Sequence, residues 1–225
     1  MTVIIPTLNE EKNIADVLME LRSIGLSNIL VIDGNSKDRT VRIAKEFDVN
    51  VVRQNGKGKG DALRQAFSCD ELRGDMIVIM DADGSMNPKE ILSFIEVLED
   101  GADLVKGSRF ITGGRSEDMT LARRIGNRLL LLATNLLCST NYTDLCYGFA
   151  AFKRDAIEKL YPHLQAQNFE IEAEMFIKAN KLDLKVEEVP SVELRRKSGK
   201  SNLRAYHDGY RILTTIIHGV FSGID

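Results

Sequence analysis

Two aspartates one residue apart, Asp81 and Asp83, are the side chains of this sequence best placed to do chemistry. They follow an apolar run of strand length at residues 76–80, and the small residues Gly84 and Ser85 come next. Carboxylates that follow a buried strand lie where open α/β sheets bind their ligands. Two of them can hold a divalent cation that keeps waters and shares its other ligands with a diphosphate. An isolated pair is more often a turn cap, so the rest of the chain must decide between the two interpretations.

The elements that position these carboxylates alternate along the chain. Apolar runs predict strands at residues 2–6, 28–33 and 49–52, and helical spacing predicts helices at residues 10–24, 38–47 and 60–68. Strands that alternate with helices indicate a mostly parallel sheet with right-handed crossovers. The strand ends at Pro6, Asp33 and Asp81 then lie along one edge, which predicts a cleft large enough for a nucleotide.

Two common nucleotide-binding motifs are missing from the sequence. No G-x-G-x-x-G follows the first strand, and no G-x-x-x-x-G-K-[ST] occurs. A nucleotidyltransferase would carry a Gly-rich, Arg-containing loop where this chain has residues 6–10. The lysine and glycine run at residues 57–60 precedes a helix, so it suits either phosphate binding or a solvated mobile loop. Asp61 beside it suits a helix cap as well as a ligand.

Composition limits the class of protein. The chain has 225 residues with 30 Lys and Arg against 33 Asp and Glu, a net charge of −3, which gives no nucleic-acid signature. The odd count of three cysteines suits a reducing compartment. No signal peptide and no run of roughly 20 apolar residues is seen. We therefore expect a cytoplasmic protein that needs no nucleic-acid partner.

The motifs in order resemble those of the family 2 glycosyltransferases, which have a GT-A (Rossmann-like) α/β fold. The match consists of Pro6-Thr7-Leu8-Asn9-Glu10, Asp33-Gly34-Asn35-Ser36-Lys37-Asp38-Arg39-Thr40 and Asp81-Ala82-Asp83. Within that family the chain resembles the polyprenyl-phosphate sugar synthases of the dolichyl-phosphate mannose synthase type. The supporting motifs are Gly107-Ser108-Arg109, residues 144–149, residues 169–172 and the late Arg196-x-x-Gly199-x-Ser201. The resemblance predicts a catalytic domain over residues 1–205, with a nucleotide-sugar half at 1–106, an acceptor half at 107–205 and a helical tail at 206–225.

The resemblance also implies roles at the donor side. It assigns nucleotide-sugar binding to a set made of Pro6, Thr7, Glu10, Asp33, Lys59, Asp61, Asp81 and Ala82. Asp83 and Asp81 would hold Mg²⁺ or Mn²⁺, which neutralises the leaving diphosphate. The donor would be a UDP- or GDP-hexose, with UDP weakly favoured, and the identity of the nucleotide base is left open. Asp38 and Thr40 are better explained as turn and cap residues.

The acceptor decides which further residues are needed. A lipid phosphate is already anionic, so inversion at the sugar needs arginines to position it rather than a strong base. The candidates are Arg109, Arg115, Arg124, Arg196 and Ser201. A hydroxyl acceptor would instead need a carboxylate base, Asp144 or Glu172. Of the three carboxylates at positions 170, 172 and 174, two are expected at the surface. The residues predicted to be catalytic are Asp83, Arg109, Arg124 and Glu172.

Two segments bear on where the protein acts. Residues 121–138 combine a basic turn with a leucine-rich face, as an interfacial helix does, and residues 210–221 suit a second such helix. These features predict a peripheral protein on the cytoplasmic face of the cell membrane, with anchoring through its own surface or a partner. A core helix or a homodimer interface is the alternative for residues 121–138. A catalytically silent nucleotide-binding module is a further alternative, which the aspartates at 33, 81 and 83 argue against.

Overall fold

The computed structural model describes residues 1–199 and 204–221. The first part of the chain alternates strands with helices, as predicted. Its elements are β1 (Thr2–Thr7), α1 (Ile14–Ser23), β2 (Ile29–Asp33), α2 (Thr40–Glu46), β3 (Asn50–Arg53), α3 (Lys59–Phe67) and β4 (Met76–Ile79). A 3₁₀ turn at Pro88–Glu90 leads into α4 (Ile91–Glu99) and then β5 (Leu104–Ser108).

The second part of the chain is richer in helix. Its elements are β6 (Arg115–Ser116), α5 (Leu121–Cys138), β7 (Ala150–Lys153), α6 (Arg154–Leu160), α7 (Ile171–Lys181), β8 (Val186–Pro190), β9 (Val192–Glu193) and α8 (Ala205–Phe221). A 3₁₀ turn at Tyr161–His163 separates α6 from α7. Residues 111–120, between β5 and α5, contain β6, and α8 begins five residues before the predicted helix at 210–221.

The central sheet has seven strands in the order β3-β2-β1-β4-β7-β5-β8. All neighbours in it are parallel except that β7 is antiparallel to β4 and to β5. The mostly parallel α/β fold is therefore confirmed. The short strands β6 and β9 pair separately and in parallel beyond the end of β5 and β8.

The core lies on both faces of this sheet because successive strand residues point to opposite sides. Ile4 and Leu30 pack on one face with α3 and α7, and Val3 and Val31 pack on the other with α1 and α4. Every residue of β2 is buried, as expected for a parallel strand covered by helices on both faces. The sheet is a rigid base whose strand ends fix the loops that follow them.

Three strand ends meet at one edge, as predicted. β1, β2 and β4 are adjacent and parallel, and Thr7 at the end of β1 is in register with Asp33 at the end of β2. β4 ends at Ile79, so Asp81 and Asp83 lie in the turn after the strand and not in the strand itself. The turn, and not strand alternation, sets the direction of the two carboxylates.

Helices α5 and α8 pack against each other and against α7. Ile212 and Ile216 of α8 are buried with Ala173 and Ile177 of α7. The bounds predicted for α5 are confirmed, and Thr120 caps its start by accepting a hydrogen bond from the Arg123 N–H. Within the described residues, no helix has the length and apolar content needed to cross a bilayer.

Candidate active site

A cleft of about 650 Å³ opens at the edge where β1, β2 and β4 end. Seven of the residues expected to bind the nucleotide sugar or metal line it: Pro6, Thr7, Glu10, Lys59, Asp81, Ala82 and Asp83. Asp33 lies at the end of β2, just before the lining residue Gly34. Asp61 lies behind the wall on α3, where it accepts a hydrogen bond from the Gln54 amide at 2.8 Å.

The ends of β1 and β2, beside this cleft, hold buried polar atoms that lack a protein partner. Within the described residues, neither Thr7 Oγ1 nor Asp33 Oδ1 has a hydrogen-bond partner. The second Asp33 oxygen accepts the Ser36 N–H at 3.0 Å. Since an unsatisfied buried polar atom costs free energy, a polar ligand group at these strand ends would stabilise the site.

The loop after β1 is held by the loop after β2. The Glu10 N–H donates to Thr40 Oγ1 at 2.8 Å, and the Glu11 N–H donates to Asp38 at 3.1 Å. Asp38 also accepts the Thr40 N–H at 2.9 Å. Asp38 and Thr40 are thus bracing residues in the structure, and they present Glu10 to the cleft.

Asp81 and Asp83, in the turn that follows β4 (residues 81–85, the central turn), are both paired with cations. Lys59 Nζ lies 2.7 Å from Asp81 Oδ1, and Arg196 Nη2 lies 2.7 Å from Asp83 Oδ2. Asp83 Oδ1 accepts the backbone N–H of Ser85 at 2.9 Å, so Ser85 contributes its backbone to the turn. Arg196 also approaches Glu10, with 3.8 Å between Nη1 and Oε1. Charge neutralisation therefore ties two distant segments to this turn.

Lys59 also binds a third carboxylate. Its Nζ lies 2.7 Å from Glu172 Oε1, and both side chains are buried. Burial lowers the Lys59 pKa, but Asp81 and Glu172 outweigh this effect and raise it, so Lys59 stays cationic. A Cβ on Gly148 would lie 2.4 Å from Lys59 Nζ, so a side chain at this position would disturb the ion pair.

The expectation that two of the carboxylates at 170, 172 and 174 are surface groups is wrong. All three are buried at the start of α7. Glu174 accepts the backbone N–H groups of Gln165 and Ala166, and Glu170 accepts that of Asn168 at 3.1 Å. These two glutamates satisfy the loop before α7, and only Glu172 lines a cavity.

Arg109 is the centre of a second buried charge network. Its Nε and Nη2 donate to the two oxygens of Asp144 at 2.7 and 2.9 Å, and Nη1 donates to Glu193 at 3.1 Å. Nη2 also donates to the Cys146 carbonyl at 2.7 Å. The guanidinium carbon lies 4.6 Å from the Tyr147 ring centre. Every nitrogen of the Arg109 guanidinium therefore has a protein acceptor.

Lys106 and Glu188 belong to the same network and hold Asp144 in place. Lys106 is fully buried, with Nζ 3.4 Å from Glu188 Oε1 and 4.7 Å from the Phe176 ring centre. Burial lowers the pKa of Lys106. Glu188 accepts the N–H groups of Thr143 and Asp144 at 2.8 and 3.3 Å. This chain of contacts fixes Asp144, which in turn fixes Arg109.

A smaller cavity of about 170 Å³ adjoins the cleft and shares Lys59, Asp81, Asp83 and Arg196 with it. Helix α5 closes one side with Arg123, Asn127 and Leu130. Asn127 is buried, and its Oδ1 accepts the Cys146 N–H at 3.1 Å. Asn127 Nδ2 has no partner among the described residues, which leaves a donor for a ligand.

Several arginines predicted at the acceptor side lie elsewhere. Arg124 is exposed on α5 and does not line the cavity, whereas the neighbouring Arg123 does. Arg115 is exposed on β6 and lies 3.6 Å from Glu117. Arg196 lines both cavities, and Ser201 falls outside the described residues.

Sequence reasoning missed Arg123 and Asn127. Their spacing of four residues on one helix face is the signal that could have found them.

The segment after β9 runs across the central turn. The Leu194 N–H donates to the Ser85 carbonyl at 2.8 Å, and the Lys197 N–H donates to the Asp83 carbonyl at 3.2 Å. Lys197 Nζ lies 2.8 Å from Glu20 on α1. This segment, residues 194–198, carries Arg196 to Asp83.

The donor set of the central turn suits Mg²⁺ or Mn²⁺ held jointly with a diphosphate. Within the described part of the chain, no group of three or more His, Cys, Asp and Glu side chains could hold an ion alone. Asp81 and Asp83 supply two carboxylates that face the same two cavities. A hard cation of this kind is commonly held by one or two carboxylates plus substrate phosphates and water.

Comparison with known families and proteins agrees with this geometry. The family model described as glycosyl transferase family 2 matches residues 2–161. Glycosyltransferase AglJ of Haloferax volcanii is 34% identical over 208 residues, which cover 92% of this chain and 67% of that protein. The UDP-N-acetylglucosamine–dolichyl-phosphate N-acetylglucosaminyltransferase of Methanococcus voltae is 32% identical, with 84% and 83% coverage. The undecaprenyl-phosphate mannosyltransferase of Micrococcus luteus is 30% identical, with 89% and 86% coverage.

A solved structure with the same fold is glucosyl-3-phosphoglycerate synthase from Mycobacterium tuberculosis, in complex with Mn²⁺, UDP and glucosyl-3-phosphoglycerate. Its TM-score is 0.77 at 21% identity, and the match covers 97% of this chain and 79% of that one. A complex of the same synthase with Mg²⁺ and UDP matches equally well, with a TM-score of 0.77. The GT-A fold predicted from the sequence is confirmed.

The Arg109 network gives a prediction about stability. Asp144→Ala leaves the buried Arg109 guanidinium with fewer acceptors, and breaking a buried ion pair costs about 3–5 kcal/mol. We expect the free energy of unfolding, measured by urea denaturation, to fall by about that amount. Glu46→Ala is the control. It breaks the exposed pair between Arg42 and Glu46 on α2 and should cost less than about 0.5 kcal/mol. Equal stability of the two variants would contradict the structural role of the Arg109 network.

Proposed function

The chain belongs to glycosyl transferase family 2 and is a hexosyltransferase. On this premise we propose that it transfers a hexose, with inversion, from a UDP- or GDP-hexose to a polyprenyl phosphate. The observation that carries the proposal is the position of Asp81 and Asp83. They face both the cleft at the strand ends and the smaller cavity beside α5, so one turn can serve donor and acceptor.

The donor nucleotide is proposed to lie in the larger cleft. The unpartnered oxygens of Thr7 and Asp33 beside this cleft suit a base or ribose. Pro6, Glu10 and Ala82 line the path outwards, and Asp61 supports the wall through Gln54. Lys59 and Arg196 supply positive charge beside the central turn, where the diphosphate would lie. The relatives' names include both uridine and mannosyl donors, so the proposal covers UDP- and GDP-hexoses.

Asp83 and Asp81 are the residues that would hold Mg²⁺ or Mn²⁺. When bound, the ion stabilises the charge that develops on the leaving diphosphate. The protein's own task is to aim the two carboxylates at the same place. The Ser85 N–H donates to Asp83, and Lys59 pairs with Asp81, so both carboxylates are held in position.

The acceptor phosphate is proposed to lie in the smaller cavity. A phosphate monoester is anionic at neutral pH, so it can attack the anomeric carbon without giving up a proton to a base. Arg123 and the free Nδ2 of Asn127 are donors on the cavity wall. Arg109 lines the same cavity and positions Glu193 and the loop at Cys146. Of the sequence candidates, Arg196 pairs with Asp83 and lines both cavities. Phosphate roles for Arg115, Arg124 and Ser201 stay predictions.

A saccharide or other hydroxyl acceptor is the second candidate. One observation favours it. Glu172 lines the smaller cavity, and burial raises its pKa, which suits a general base. Against it, Glu172 already binds Lys59, and Asp144 is fully buried with both oxygens accepting from Arg109. The pairing of both carboxylates supports the phosphate acceptor.

A lipid acceptor requires a membrane-facing surface, and we propose that α5 and α8 form it. Each helix carries an exposed apolar stripe at helical spacing. The stripe on α5 is Leu121, Ile125, Leu129, Leu132 and Leu136, and the stripe on α8 is Tyr206, Tyr210, Leu213, Ile217 and Phe221. Leu121 and Leu136 are 73% exposed, and Tyr206 is 94% exposed.

Charge beside the apolar stripes supports a membrane as the partner. Arg124 and Arg128 are exposed on α5 next to its stripe, as in helices that lie on anionic lipid. The opposite face of α5 lines the smaller cavity through Arg123 and Asn127. A lipid held at this surface could therefore present its phosphate to the cavity. We propose peripheral action at the cytoplasmic face of the membrane.

The transfer reaction tests the proposed function. Purified protein is incubated with labelled UDP-, GDP- and dTDP-hexoses, polyprenyl phosphate and Mg²⁺ or Mn²⁺, and the label in the organic phase is counted. We expect metal-dependent transfer from one donor, because the leaving diphosphate needs neutralisation. Asp83→Ala should lower turnover by about 100-fold or more, which is about 2.7 kcal/mol of transition-state stabilisation. Donor turnover that leaves the label in water would favour the hydroxyl acceptor, and no turnover with any donor would contradict the proposal.

Binding to lipid vesicles tests the membrane surface. Leu129→Ser removes an exposed leucine from the α5 stripe and should weaken binding to anionic vesicles by about tenfold, since burying a leucine contributes about 1.5–3 kcal/mol. The matched control is Leu92→Ser on α4, where Leu92 is also more than half exposed but lies on the other face of the sheet. Sedimentation with vesicles measures both variants. Equal binding of the two variants would exclude α5 as the contact surface.

A further inference from the structure

The cations that pair with the two carboxylates of the central turn differ in their surroundings. Lys59, the partner of Asp81, begins α3 and binds Glu172 on its other side, with both distances at 2.7 Å. Its side chain is about one-tenth exposed, so it is enclosed between two carboxylates. Moving Lys59 would leave Glu172 buried beside Asp81 without its cation. Lys59 is therefore a permanent member of the site.

Arg196, the partner of Asp83, is held differently. It lies on the segment 194–198, outside any helix or strand, and its side chain is one-fifth exposed. Glu10 Oε1 lies 3.8 Å from its Nη1, which is longer than a hydrogen bond. Arg196 lines both the larger cleft and the smaller cavity. It can therefore leave Asp83 and still face the space proposed for the diphosphate.

Arg196 and a metal ion would compete for the carboxylate of Asp83. Asp83 Oδ1 accepts the Ser85 N–H, and Oδ2 is 2.7 Å from Arg196. A divalent cation on this largely buried carboxylate would stand within a few ångströms of the guanidinium, and like charges repel strongly where water is scarce. A nucleoside diphosphate removes the conflict, because its anionic oxygens can accept from the guanidinium bidentately.

We propose that Arg196 is an exchangeable counter-ion that couples metal binding to nucleotide binding. Without ligand it neutralises Asp83 and opposes the binding of a free divalent cation. With a nucleoside diphosphate present it transfers its hydrogen bonds to the diphosphate, which frees Asp83 for the ion. The site then selects the metal–nucleotide complex over either component alone, and by linkage each ligand strengthens the other. This inference rests on the proposed nucleotide donor and adds the residue responsible for the coupling.

The test is the affinity for Mn²⁺, measured from the spin-resonance signal of the free ion, with and without UDP and in parallel with GDP. For Arg196→Gln, Mn²⁺ alone should bind several-fold more tightly than to the wild type, because the competing cation is gone. With saturating nucleotide the same variant should bind Mn²⁺ about tenfold more weakly, or about 1.4 kcal/mol, because the diphosphate has lost its partner. A merely structural role for Arg196 would not change the Mn²⁺ affinity in opposite directions in the two conditions.

The matched control is Arg195→Gln. Arg195 is the preceding residue and is exposed, so this variant removes the same charge from the same segment. It should leave both affinities within about twofold of the wild type, since exposed charges are screened. Arg196→Lys keeps the charge but not the planar fork. It should bind free Mn²⁺ like the wild type and Mn²⁺ with nucleotide more weakly. It takes the place of Arg196→Gln if that variant does not fold.

The outcomes separate the inference from the proposed function. If UDP or GDP strengthens Mn²⁺ binding to the wild type but Arg196→Gln shifts both affinities in the same direction, the inference is wrong and the proposed donor stands. If Arg196→Gln does not bind free Mn²⁺ more tightly, the inference is also wrong. If neither nucleotide strengthens Mn²⁺ binding to the wild type, the inference and the proposed donor fall together.

Discussion

The pairing of Asp81 with Lys59 and of Asp83 with Arg196 is the constraint on which the rest of the site depends. Parallel strands deliver both carboxylates to one edge, and carboxylates so close together are costly to leave unpaired where they are largely buried. One cation comes from the start of α3 and the other from the segment after β9, far apart in sequence. These two ion pairs therefore hold the walls of both cavities together, and the hydrophobic sheet determines where the two carboxylates lie.

Much of this arrangement could be predicted from local sequence. Strands β1 to β4, the bounds of α5 and the edge holding Asp33 and Asp81 follow from apolar runs and helical spacing. The antiparallel strand β7 could not be predicted from its own sequence. Its four residues, Ala-Ala-Phe-Lys, show no strand alternation, and its pairing with β4 and β5 is what makes it a strand. Nor could the burial of Glu170 and Glu174, since it depends on hydrogen bonds from backbone N–H groups of the preceding loop. Arg123 and Arg124 are adjacent, and only the packing of α5 decides which one faces the cavity.

The charged groups of the site fall into two kinds. Arg109, Asp144, Lys106 and Glu188 form a buried network of ion pairs and hydrogen bonds that braces the wall beside the smaller cavity. Thr7, Asp33 and Asn127 instead keep polar atoms without protein partners in the described structure, and these atoms lie where ligands are proposed. Glu172 and Asp144, the two carboxylates considered as bases, are both held by cations in the described structure, which supports the proposed anionic acceptor over a hydroxyl. The apolar stripes on α5 and α8 lie on helices that border the smaller cavity, which supports the proposed lipid acceptor.

The central claim is that the acceptor is a phosphate, and the most direct measurement compares two acceptors that differ only in that group. A polyprenyl phosphate and the corresponding free polyprenol are presented in the same detergent with the same labelled donor and metal. Transfer is then followed between pH 6 and pH 9. We expect transfer to the phosphate alone across this pH range. Comparable transfer to the free alcohol would contradict it and would place a general base, with Glu172 as the first candidate, at the centre of the reaction.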